Sequence, residues 1–138
     1  MSRSAELICV PPDKIPVLWN TVSPFIYSAM ANGDFGSFNE LESKLLNGDA
    51  LLWISWNGEE IMSAAITELN PMETGGLVCT IVACGGMNME KWLHLIDGIE
   101  TFARHEGCKS TRIVGRKGWL RKLPDYRMTK VVIEKELH

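Results

Sequence analysis

The sequence predicts a mixed α/β (α+β) fold, a mostly antiparallel central sheet with helices on both faces. Three observations lead there. The spacing of apolar residues changes from helical to extended near residue 51, and Asn57-Gly58, a strong short hairpin signal, falls inside that extended stretch. The run 77–84 is apolar on both of its faces, as a central strand covered on each side requires. Directly after it comes a long amphipathic helical pattern that ends at Gly107. A chain of 138 residues, 46% of them hydrophobic, suits one domain spanning 1–138 whose core needs neither disulfides nor a metal.

Taken in order, Leu7, Ile8, Cys9 and Val10 form a first strand that Pro11-Pro12 turns. A helix follows. Asp13 is a suitable N-cap, Pro16 is tolerated in the first turn, and Ile15, Leu18, Trp19, Val22 and Ile26 recur at helical spacing toward a stop at Asn32-Gly33. Pro24 is expected to kink or split this helix. The second helix opens on the capping box Ser37-Phe38-Asn39-Glu40, places Phe38, Leu41 and Leu45 on one face, and closes at Asn47-Gly48. Residues 51–56 and 60–69 then pair as an antiparallel hairpin. Trp53 and Trp56, an odd number apart, lie on its opposite faces, and either of them left exposed would mark a partner site.

The central strand, 77–84, stops at Gly85-Gly86. Asn88 can cap the long helix, whose inner face is Trp92, Ile96, Ile99 and Ala103, joined by Leu93, Leu95 and Phe102. Residues 111–114 read as a short strand and 119–123 as at most a short helix ended by Pro124. A terminal strand is expected over 130–137, with Val131 and Ile133 on one side.

Composition narrows the compartment and the partners. The 14 basic and 17 acidic residues give a net charge of -3, but residues 1–108 carry 5 basic and 14 acidic side chains, whereas 109–138 carry 9 and 3. A basic closing segment thus completes an acidic body. Cys9, Cys79, Cys84 and Cys108 contain no C-x-x-C pair and suit a reducing compartment. The apolar stretch before Pro11 is too short for a secretory signal, and no run reaches membrane-spanning length, so a cytoplasmic protein without a membrane partner is expected. The three histidines and dispersed cysteines show no metal-ligand spacing.

The succession of one strand, two helices, an antiparallel meander and a long helix directly after the central strand resembles the GNAT superfamily of acyl-CoA N-acyltransferases over nearly the whole chain. The end of the chain is more specific. Gly107-Cys108, a short strand, then Gly115-Arg116-Lys117-Gly118-Trp119-Leu120-Arg121-Lys122-Leu123 and Tyr126 is similar to the closing segment of short GNAT-like proteins of tailed phages and prophages. The resemblance implies an acetyl-CoA site at residues 82–91. There the main chain of Val82, Ala83 and Cys84 would face the pantetheine arm. Gly85 and Gly86 would let backbone amides approach the pyrophosphate, Asn88 would cap the helix, and Lys91 would add a positive charge. The loop carries no arginine. No tyrosine stands around residues 120–123, where many family members place the proton donor for the departing thiolate, and Tyr126, beyond Pro124, is not assigned that role.

Several residues carry two readings. Glu68, a carboxylate on an otherwise apolar strand, is the candidate general base, or it simply faces solvent. Gly85-Gly86 is a phosphate loop or a plain turn between strand and helix. Cys84 reads as an inert buried thiol, and His94 falls on the exposed side of its helix. Arg116, Lys117, Trp119 and Arg121 form a candidate partner-binding group, unless Trp119 only anchors a short helix. Three functions follow: an acetyl-CoA-dependent N-acyltransferase with Glu68 assisting, a catalytically silent phage protein acting as a virion component or host-factor binder, and a nucleic-acid binder through 109–130. The acidic body argues against the last.

Overall fold

The computed structural model describes residues 6–30, 38–87, 89–113, 121, 123–129, 133 and 135–137, with backbone alone at 30, 38 and 89–92. Strand β1 (Glu6–Val10) leads through a 3-10 turn at Pro12–Lys14 into helix α1 (Ile15–Met30), followed by α2 (Phe38–Asn47). Three long strands come next, β2 (Leu51–Trp56), β3 (Ile61–Pro71) and β4 (Leu77–Gly86). Helix α3 (Met89–His105) then crosses the sheet to β5 (Cys108–Ile113). The described strands form one sheet in sequence order, antiparallel from β1 to β4 and parallel between β4 and β5, where α3 supplies the crossover. The predicted mixed, mostly antiparallel sheet is therefore found.

Alternation along the strands sorts side chains into two layers, each under its own helices. On one face Ile54, Leu52, Ala64, Ile66 and Ala83 pack with Ile15, Val22 and Ile26 of α1 and Leu41 and Leu45 of α2. On the other, Trp53, Ala65, Cys79 and Ile81 pack with Leu95, Ile96, Ile99 and Ala103 of α3. Each fully buried Leu or Ile here contributes about 1.5–3 kcal/mol. Trp53 and Trp56 do lie on opposite faces, but neither is exposed: Trp53 is buried against Phe102, ring centroids 5.0 Å apart, and Trp56 packs against the α1 layer. The side chain of Leu7 on β1 occupies the place a Cβ on Gly98 would need, so that glycine is what lets α3 lie close to the sheet. Among the described residues no helix is long and apolar enough to cross a membrane.

Local differences from the sequence reading have identifiable causes. Asp13 sits within the 3-10 turn, with Pro11 as its cap, so α1 begins at Ile15 rather than on an Asp13 cap. Pro24 lies inside α1 without splitting it, because Val22 and Ile26 on either side are both pinned in the core. The β2–β3 loop is four residues, not a two-residue turn. Asn57 Oδ1 accepts the N–H groups of Glu59 (2.9 Å) and Glu60 (2.8 Å), and only Gly58 in this loop has positive φ, whereas a tight type I′ turn needs two such residues. β4 continues through Gly85-Gly86 instead of stopping there, since both pair with β3. β5 begins at Cys108, three residues before the predicted start.

The capping residue Ser37, the Asn32-Gly33 stop, the Asn88 cap and the Trp92 side chain lie outside the described residues. In the expected terminal strand, the described residues 133 and 135–137 are not in a strand, and Ile133 and Leu137 are exposed. Of the short helix expected over 119–123, Arg121 is helical and Leu123 is not, and Pro124 stands in a turn; residues 119, 120 and 122 lie outside the description.

Candidate functional site

The feature that distinguishes the middle of the sheet is a bulge in β4. Thr67 pairs with Ile81 and the next β3 residue, Ile66, pairs with Ala83, so Val82 is an extra residue with no partner of its own. Val82 and Ala83 consequently both lie toward α1, and Cys84 returns to the α3 layer. The described part of the parallel ladder runs to the pair Ile81 with Ile113, and the seven residues that follow Ile113 lie outside the described ones. Among the described residues, β4 from Ala83 to Gly86 pairs with β3 along one edge. A strand edge that is left unpaired presents peptide N–H and C=O groups, which an extended chain containing amides can use as a strand would.

The residues around this edge divide into those with an internal duty and those without. Gly85 has one. A Cβ there would lie 2.5 Å from the Phe25 carbonyl oxygen of α1, so the glycine permits close approach of helix to strand. Gly86 is exposed, and the next amide, Met87 N–H, donates to Met62 O at 3.1 Å, extending the β3–β4 ladder by one bond. Met87 itself points to solvent, 62% exposed, and does not fill the edge. Cys84 is inert as a nucleophile, because burial pushes its thiol up to about 12, and His94 is exposed on α3. Asn88 lies outside the described residues, as does the Lys91 side chain, whose backbone is in the first turn of α3.

Glu68 does not simply face solvent. It sits on the α1 and α2 side of β3, directly across from Thr80, with its side chain 16% exposed and its Oε1 accepting from Lys44 Nζ at 2.7 Å. That hydrogen bond raises the Lys44 ammonium above the ordinary lysine value, ahead of a smaller opposing effect of burial. Thr80 hands its hydroxyl to Asn70 Oδ1 at 2.7 Å, and across the next strand Thr80 pairs with Arg112. A row of polar residues, Glu68, Thr80 and Arg112, therefore crosses β3, β4 and β5 one residue before the last described pair of the ladder.

Sequence reasoning missed Lys44 and took Arg112 only as one member of the basic segment 109–130. The placement of Arg112 between Thr111 and Ile113, in a stretch read as a strand, was the available signal, since alternation turns it away from both neighbours. Tyr126, set aside on sequence grounds, is tied down: its hydroxyl donates to Glu100 Oε2 at 2.6 Å and lies 2.6 Å from Thr111 Oγ1. Burial and the Glu100 carboxylate hold it well above the usual tyrosine range, so it anchors the chain after β5 onto α3. Of the candidate partner-binding group, Arg121 is exposed, while Arg116, Lys117 and Trp119 lie outside the described residues. No group of three or more metal-ligating side chains occurs among the described residues.

No family model matches the chain, and no curated protein matches its sequence. Solved structures do share its architecture. An aminoglycoside acetyltransferase from an uncultured soil metagenomic sample, crystallised with trehalose, superposes with a TM-score of 0.73 at 10% identity, over 98% of this chain and 97% of that one. A GNAT family acetyltransferase from Staphylococcus aureus gives 0.67 at 14% identity, covering 97% and 99%. The ribosomal-protein-alanine N-acetyltransferase of Brucella melitensis gives 0.69 at 10% identity, covering 97% and 100%. At these identities the likeness speaks for architecture alone, and the chain shares the fold of GNAT acetyltransferases.

Proposed function

We propose that the chain is a cytoplasmic acetyl-CoA-dependent N-acyltransferase whose acceptor enters on the α1 and α2 side of the sheet. What supports this reading is the Val82 bulge, an extra residue in β4 just past the last described pair of the parallel ladder; along that edge the peptide groups of Val82, Ala83 and Cys84 would meet the two amides of a pantetheine arm. Gly86, exposed at the end of that edge, leads toward Asn88 and Lys91, which are assigned to the phosphates. When bound, acetyl-CoA supplies the activated acetyl thioester. The chain's own part is positioning, with backbone N–H groups at the bulge polarising the carbonyl and Glu68 accepting the amine proton once Lys44 gives way.

Calorimetry with coenzyme A and acetyl-CoA tests the reading. Binding should be weakened at least about tenfold by Gly86→Phe with the melting temperature retained, and absence of binding at millimolar ligand would sink it. Glu68→Gln should lower kcat while leaving coenzyme affinity unchanged. One observation favours a second reading: Gly85 and the Met87 amide, both expected near the phosphates, already serve packing and pairing inside the protein. In that reading the chain is a catalytically silent phage protein. It meets a virion or host protein through Arg116, Lys117, Trp119 and Arg121, and robust acetyl transfer by the wild type excludes it.

A further inference from the structure

We infer that Arg112 is an anchor for an anionic group on the acceptor, so that the preferred substrates are amines that also carry a carboxylate or phosphate. The inference rests on the acyltransferase reading for the word acceptor, but its structural basis is separate. Thr111 and Ile113 face α3, the first through Tyr126 and the second in the apolar layer, so Arg112 projects from β5 on the opposite side. On that side it stands in the same row as Thr80 and Glu68, about 10 Å from Glu68 between Cα atoms by two interstrand spacings.

The charges in the row do not cancel. Glu68 is matched by Lys44 at 2.7 Å, while Arg112, half-buried, has no acidic partner within 4.0 Å among the described residues. A guanidinium withdrawn partly from water without a counter-ion is unfavourable, and its planar fork suits a two-oxygen anion better than any neutral group. On a molecule whose anionic end meets Arg112, an amine directed toward Glu68 completes the charge pattern of the row. Carboxylate and phosphate share this chemistry.

Direct binding, measured by calorimetry or saturation-transfer NMR without acetyl-CoA, separates the idea from the acyltransferase reading. The probes are 4-aminobutanoate beside its amide, and 3-aminopropyl phosphate beside 3-aminopropanol. Each anionic member should bind the wild type at least about tenfold more tightly than its neutral counterpart. Arg112→Gln should erase that preference and Arg112→Lys should retain part of it, with melting curves showing that both variants fold. Which pair shows the larger ratio identifies the anion. Equal binding of charged and neutral members, a preference that survives Arg112→Gln, or no binding of any probe overturns the inference. Failure to bind coenzyme A, with the preference intact, overturns only the acyltransferase reading.

Discussion

Gly85→Ala asks why a glycine stands beneath α1. An added Cβ would lie 2.5 Å from the Phe25 carbonyl oxygen and 3.3 Å from its carbon, while its third neighbour, Ala29 Cβ, is at an ordinary 3.6 Å. Carbon and oxygen atoms settle at about 3.3 Å or more, so relief requires a displacement of roughly 0.8 Å. The obstacle is backbone, and no side-chain rotation removes it. α1 must lift from β4, loosening Val22 and Ile26, both fully buried. Overpacking of this kind costs about 1–3 kcal/mol. For a chain of this length that is roughly 3–12 °C in melting temperature. Thermal melts followed by circular dichroism measure it, with Gly86→Ala as the control, because Gly86 is exposed and an exposed substitution moves stability by only about 0.5 kcal/mol. A Gly85→Ala protein melting within about 1 °C of wild type refutes the packing explanation. If that protein also loses coenzyme A binding, the glycine serves the ligand instead.

Two further outcomes follow from the core. Stability should fall as pH rises above 9, because the unfolded chain releases thiol protons at the ordinary value of 9.0 while folded Cys84 and Cys79 keep theirs toward about 12 and about 11. Below pH 9 both states are protonated and this contribution is flat. Urea midpoints compared at neutral and alkaline pH should show the drop, and Cys84→Ala should reduce it; an unchanged drop removes Cys84 from the account. Trp53→Phe deletes the indole N–H that donates to Thr67 Oγ1 at 2.9 Å inside the α3 layer, with an expected loss of about 1–3 kcal/mol. A cycle with Thr67→Val should show the double variant less destabilised than the two single ones added, and strict additivity refutes the bond as an energetic pair.

Much of the architecture was readable because local signals agreed with one another. Leu41 and Leu45 mark the buried side of α2 by spacing alone, and the parity of Trp53 and Trp56 places them in different layers. What escaped the sequence depends on contacts between distant segments. Nothing near Pro24 announces that Phe25 will rest against Gly85, so the glycine read equally well as a turn or a phosphate loop. The bulge is hidden for a different reason: 77–84 is apolar almost throughout, and a shift of alternation at Val82 leaves no trace in a run with little polar residue to shift. Lys44 and Glu68 lie 24 residues apart and meet only because α2 returns over β3.

The bulge also bears on which changes of length this chain can absorb. Removing one residue from a buried strand ordinarily exchanges the two sides of everything after it. Here Ile81 and Ala83 already sit opposite consecutive β3 residues, Thr67 and Ile66, so Val82 behaves as an insertion in an otherwise regular strand. Its deletion would leave Ala83 under α1 and Cys84 under α3, each where it is now. What would vanish is the bulge itself. A lineage of this fold can thus gain or lose that irregularity through a single codon while keeping both layers of its core.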